Sequence, residues 1–176
     1  MAAGRRELFA RLDELGIATR TAEHAALHSV EESRALRGEI AGAHSKNLFL
    51  KAKKGSLWLV VALETTRVDL NALARAKRCG RFSFASPELL DEALGVEPGS
   101  VTPFALINDG EARVNVVLDR ALMAHEALNF HPLENTATTT IARGDLLAFL
   151  AACGHEPEIR DLEPVARARD PAGDPE

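Results

Sequence analysis

The run Leu57-Trp58-Leu59-Val60-Val61-Ala62-Leu63 carries no polar residue, and a second, largely apolar run from Asn47 to Ala52 precedes it. Between them stand Lys53-Lys54-Gly55-Ser56, a short polar turn whose glycine can supply a positive φ. Two strands joined in this way predict a hairpin, and strands so apolar must be covered by other elements. The rest of the chain supplies candidates for that cover.

Arg5 to Leu15 reads as an amphipathic helix, with Leu8, Phe9, Leu12 and Leu15 on one face and Gly16 as its stop. Ile17 to Glu23 alternates and predicts a strand. Ser29-Val30-Glu31-Glu32 has the form of a capping box ahead of a short helix to Leu36. Asp69 is placed to cap a helix reaching Cys79, with Gly80 as its stop. A short strand follows over Arg81 to Ala85. Ser86-Pro87 opens a further helix that ends at Gly95. Pro103 to Ile107, a turn at Asn108-Asp109-Gly110, and Arg113 to Leu118 predict a second hairpin. Ala127 to Phe130 and the threonine-rich Thr136 to Ile141 predict two more strands. Asp145 to Cys153 predicts a helix closed by Gly154, and Glu158 to Leu162 an edge strand. There is no internal repeat and no strict βαβ rhythm. The expectation is one α/β (mixed α+β) domain over residues 1–162, with a mixed sheet flanked by helices. Residues 163–176 lack apolar periodicity and predict a disordered tail.

With 176 residues, 46% of them hydrophobic and 27% charged, the chain has the make-up of a globular domain that can bury a sizeable core. No apolar run approaches a membrane span, and the N-terminal helix lacks the apolar core of a secretory signal. Cys79 and Cys153 lie far apart with no CxxC spacing, which predicts buried free thiols and a reducing, cytoplasmic setting; Cys79 is expected in a helix facing the core. The net charge of -5 argues against a nucleic-acid partner, but its distribution does not. Lys46, Lys51, Lys53, Lys54, Arg67, Arg75, Lys77, Arg78 and Arg81 are opposed within residues 46–81 only by Glu64 and Asp69, so that segment carries +7 and the remainder -12. A basic face on an acidic body attracts a polyanion locally, whereas a solvated hairpin and helix rim would need no partner.

Three runs place polar or permissive residues beside apolar sequence. The first is Lys46-Asn47 before Leu48-Phe49-Leu50, where the lysine is a point-charge partner for phosphate. The second is Gly99-Ser100-Val101-Thr102-Pro103, in which glycine lets backbone approach a ligand and Pro103 stiffens the exit; a plain helix-to-strand loop would look the same. The third runs from Asn129 to Ile141 and holds His131 ahead of Pro132, with Asn129, Asn135 and Thr139 as further lining residues. His24, His28, His44 and His125 join no carboxylate or cysteine at ligand spacing, so no metal and no cofactor are expected. There is no GxSxG, P-loop or HExxH motif.

Together these runs resemble the prolyl-tRNA-synthetase-associated domain family, also called the YbaK or editing-domain family, from about Arg5 to Leu162. The Lys46-Asn47 pair is similar to the family's Lys-Asn motif, Gly99 to Pro103 to its GxxxP loop. The pair favours the alanine-specific branch of free-standing deacylases, because the cysteine-specific branch commonly carries threonine after the lysine. The resemblance implies hydrolysis of the ester in Ala-tRNA(Pro), using backbone groups and the substrate's own ribose hydroxyl. It gives Lys46 to the acceptor end, Asn47 to substrate positioning, Gly99 and its loop to the carbonyl, and His131 to pocket geometry. Lys51, Lys53, Lys54, Arg75 and Arg78 would hold tRNA backbone. The implied partners are tRNA(Pro) charged with alanine and, transiently, prolyl-tRNA synthetase, with no membrane. Rival expectations are deacylation of Cys-tRNA(Pro) or of another small mischarged residue, a non-catalytic module gripping a tRNA end or an amino acid, and a plain interaction domain.

Overall fold

Val60, Val61 and Ala62 are fully buried, as a strand covered on both faces and paired on both edges must be. The computed structural model, which describes residues 1–26, 38 and 40–163, builds the domain around that strand. Its strands are β1 (Thr19–Glu23), β2 (Ala43–Ala52), β3 (Leu57–Leu63), β4 (Phe82–Phe84), β5 (Val114–Asp119), β6 (Ala127–Phe130), β7 (Ala137–Ala142) and β8 (Glu158–Arg160). Its helices are α1 (Arg5–Glu14), α2 (Leu70–Lys77), α3 (Pro87–Leu94), α4 (Arg120–Met123) and α5 (Arg143–Ala152). The sheet runs β1-β7-β6-β2-β3-β5-β8, with β4 also on β2. It is mixed: β2–β3, β2–β4, β6–β7 and β1–β7 are antiparallel, while β2–β6, β3–β5 and β5–β8 are parallel.

Alternation along β2 and β3 divides the interior into two cores. Phe49, Leu59 and Val61 face the larger one, which Leu8, Leu12, Phe104, Phe130 and Phe149 fill. Leu50, Ala52, Trp58, Val60 and Ala62 face the smaller one, closed by Leu73 and Ala74 of α2. Buried Asp119 ties the two ends of the central strands: it accepts from Leu63 N at 3.0 Å, Thr66 Oγ1 at 2.6 Å and Ala121 N at 3.1 Å.

Most expected elements are present within a residue or two. Ser86 caps α3 through Leu89 N, and Gly95 ends it at φ +66°. Two expectations are corrected. The hairpin over Pro103 to Leu118 does not form: Pro103–Asn108 is a 3-10 helix, opened by Thr102 Oγ1 accepting from Phe104 N. Phe104, Ala105 and Leu106 are buried consecutively, so no strand alternation survives, and β5 already has parallel partners on both edges. The helix expected to reach Cys79 stops at Lys77, because Arg78 turns left-handed at φ 53°. Cys79 thus lies past the helix, though buried, and Cys153 is only half-buried; both are free thiols. The capping box at Ser29–Glu32 with its helix, and the tail from 164 onward, lie outside the described residues. Among the described residues no helix is long and apolar enough to cross a membrane.

Candidate functional site

A strand with neighbours on both sides should be buried throughout, yet His44 to Leu48 of β2 are only half-buried. The pairing explains this. On one edge β2 runs along β3 from Ser45 to Lys51. On the other, β6 pairs only with Ala43 and His44, and β4 only from Leu50 to Ala52. No described strand pairs with that second edge in between. The sheet therefore opens at Lys46-Asn47. Gly42 sets the parallel start of β2 at φ +104°: a Cβ there would stand 3.0 Å from Asn129 Nδ2 and 3.2 Å from Ala127 O, so no other residue fits without displacement.

Several motif residues gather at this opening. Asn47 Nδ2 donates to Ser45 Oγ at 3.2 Å, and Ser45 Oγ donates to Asn129 O at 2.9 Å. Asn47 Oδ1 is one of two buried side-chain polar atoms among the described residues with no hydrogen-bond partner. Two residues after Asn129, His131 Nδ1 lies 2.9 Å from Ala137 O, closing the β6–β7 turn. A carbonyl only accepts, so Nδ1 carries the proton, and Nε2 of the neutral ring is left as an acceptor. The Gly99 loop meets this turn: Gly99, at φ +92°, has Asn135 Nδ2 3.8 Å from where a Cβ would stand. The third run and the GxxxP loop are thus neighbours, and Asn47 is linked to them through Ser45. Lys46, half-buried, leaves β2 on the opposite face from Asn47, the face of Leu48 and Leu50 under α2.

Other expected lining residues are occupied in holding the fold. Asn129 is 3% exposed, donates to Ala41 O at 3.1 Å and accepts from Thr140 Oγ1 at 2.5 Å. Thr139 is fully buried against Thr21, with the two hydroxyls 2.8 Å apart. Thr102 serves as the cap described above, Ser100 and Pro103 are buried, and Val101 packs on the larger core. Sequence reasoning missed Ser45, Gly42 and His24. His24 accepts from Thr138 Oγ1 at 2.9 Å, and its ring centre lies 6.3 Å from that of His131. Neither histidine stands out by spacing, because strand pairing of β1 with β7 brings them together.

Burial pushes the His131 imidazole below its usual 6.5; the hydrogen bond to the Ala137 carbonyl pulls the other way, and nearby His24 adds a smaller push down. The unfolded chain therefore takes up a proton at a pH where the folded chain resists it. His131 contributes stability that is fully present above 6.5 and is lost as pH falls through the lowered folded value. Wild type should lose melting temperature between pH 7.5 and 5.5 more steeply than His131→Gln; equal slopes in a thermal-melt series would contradict the assignment.

Away from the opening, Lys54, Arg75, Arg78 and Arg81 line one hollow of about 410 Å³, with Asn71, Ala74 and Gly80. Lys54 Nζ donates to Arg78 O at 2.8 Å, which pins the turn to the end of α2. Lys51 and Lys53 are exposed nearby but outside the lining. Lys77 is paired with Glu158. Among the described residues no cluster of three or more His, Cys, Asp or Glu could hold a metal ion.

Comparison with known proteins gives the family and the fold. Residues 24–149 match the model of the aminoacyl-tRNA editing domain. The mouse prolyl-tRNA synthetase associated domain-containing protein 1 (Mus musculus) is 38% identical over 164 residues, covering 90% of this chain and 96% of its own. The prolyl-tRNA editing protein ProX of Acetoanaerobium sticklandii is 35% identical over 149 residues, covering 84% and 91%. The fold matches the crystal structure of hypothetical protein APE2540 with a TM-score of 0.70 at 18% identity, covering 89% of this chain and 98% of that one. The chain belongs to the aminoacyl-tRNA editing domain family.

Proposed function

We propose that this protein hydrolyses the ester joining alanine to tRNA(Pro). Water adds to the ester carbonyl, the ribose oxygen leaves and takes up a proton, and free alanine departs. The observation that carries the reading is the unspent, buried Asn47 Oδ1 on the bare stretch of β2, in a side chain hydrogen-bonded through Ser45 to Asn129, two residues before His131. An orphaned buried acceptor costs stability, and a bound donor repays it. Asn47 Oδ1 and His131 Nε2 are both acceptors, the complement of an α-ammonium group. Backbone amides of the Gly99 loop are suited to the carbonyl as it gains negative charge. Lys46 is the phosphate partner for the acceptor end, and the Lys54, Arg75 and Arg78 hollow, with Lys51 and Lys53, holds tRNA backbone.

The chemical need favours the small residue. A synthetic site shaped for proline rejects alanine only through lost contacts, about 1–3 kcal/mol per methylene. A second, smaller recess admits alanine and excludes the pyrrolidine ring. The editing reaction would take place in the cytoplasm, where aminoacyl-tRNAs are made and used, with prolyl-tRNA synthetase as a transient neighbour.

The test is a deacylation panel on Ala-, Cys-, Ser- and Pro-tRNA(Pro). Ala-tRNA(Pro) should be hydrolysed at least tenfold faster than the others, with rates falling as salt rises. Preference for the cysteinyl ester would move the protein to the other branch, and no turnover on any ester would end the enzymatic reading.

A further inference from the structure

Phe84 is 69% exposed, although it sits in a strand whose other aromatic, Phe82, packs edge-on against Trp58 at 5.7 Å. Among the described residues the only other exposed large apolar side chains are Met1 and Ile159. Phe84 pairs with Leu50 across β2–β4, so its side chain leaves the same face of the sheet as Leu50, Leu48 and Lys46. Lys46 stands four residues up β2 from that pair, about 13 Å at strand rise. In the other direction, Phe82 pairs with Ala52, and Arg81 and Lys54, just beyond that pair, line the basic hollow. An exposed phenyl ring therefore lies between a lysine at the opening and a pocket rimmed by four cations.

We propose that Phe84 is a stacking platform for an unpaired nucleobase of the tRNA acceptor end. The proposal rests on the reading that a tRNA end is the ligand. A folded protein gains nothing from wetting a phenyl ring, whereas base-on-aromatic stacking stabilises a bound strand and accepts any base. The cations on either side supply the backbone attraction that stacking lacks, and an unpaired stretch of a few nucleotides spans the distance to Lys46. Stacking on Phe84 would hold that stretch taut, so that the ester is presented at the opening rather than left to swing.

Uncharged tRNA(Pro) binding, followed by fluorescence anisotropy across a salt series, separates this role from that of the cations. Phe84→Ala should weaken binding roughly tenfold at every salt concentration while the slope of log K against log salt stays unchanged, because no counterion is involved. Phe84→Trp should restore affinity and Phe84→Leu should not. By contrast, Arg78→Ala should flatten the slope. Unchanged affinity in Phe84→Ala, full rescue by leucine, a changed slope in Phe84→Ala, or no tRNA binding by wild type overturns the proposal. These outcomes need no turnover, so they stand apart from the deacylation panel.

Discussion

Asn47→Ala is expected to slow hydrolysis of Ala-tRNA(Pro) by about a hundredfold or more, with a melting temperature within a few degrees of wild type. The two halves of this outcome follow from one atom. In the fold, Asn47 makes a single side-chain hydrogen bond, from Nδ2 to Ser45, and its Oδ1 is buried without a partner. Removing the side chain forfeits one modest bond, about 1 kcal/mol, and relieves an uncompensated acceptor. In the substrate complex the same oxygen would be the fixed acceptor that orients the aminoacyl group, and misplacing that group is costly. Single-turnover deacylation and thermal denaturation, run on the same preparation, check both halves. A rate within threefold of wild type removes Asn47 from the site; a collapse of melting temperature makes it a structural residue instead.

The largest stability loss is expected from Phe104→Ala. Phe104 is fully buried, and its ring meets Phe130 at 5.8 Å and 87° and Phe149 at 5.6 Å and 74°, both edge-on. It joins the 3-10 helix to β6 and α5. Truncation removes the ring's transfer energy and leaves a cavity between two rings that cannot close it, costing about 3–5 kcal/mol. For a domain of this size that lowers the melting temperature by about 10 °C. Deacylation should fall too, because Phe130 directly precedes His131 and steadies the β6–β7 turn. Chemical denaturation with near-ultraviolet detection gives the number; a loss under about 1 kcal/mol would mean the core repacks around the gap.

The parts of the fold that sequence shows are those decided within a few residues. Ser86-Pro87 and Gly95 bound α3 because caps and left-handed stops are local. The β2–β3 hairpin follows from a four-residue connection. Pro103 to Ile107 misled because a short apolar run cannot tell a strand from a buried helical turn; that choice is made by β5, whose edges are taken by β3 and β8 from distant parts of the chain. At the site, the motif runs themselves were legible, and the basic segment resolved into a hollow holding Lys54, Arg75 and Arg78. The divergence of β6 and β4 from β2 was not legible, since it depends on pairing between residues 44 and 129 and between 50 and 84. Nor was the commitment of Asn129 to Ala41 and Thr140, which only three-dimensional neighbours define.

An interrupted strand edge inside a sheet has a consequence for self-association. Long unpaired edges recruit foreign strands and seed aggregates. Here β6 and β4 flank the bare stretch of β2 closely at both ends, with pairing to His44 on one side and from Leu50 on the other. An invading chain finds room for too few ladder bonds to hold, while a small ligand finds backbone already set out. The same spacing that leaves main-chain groups bare thus denies them to a neighbouring molecule.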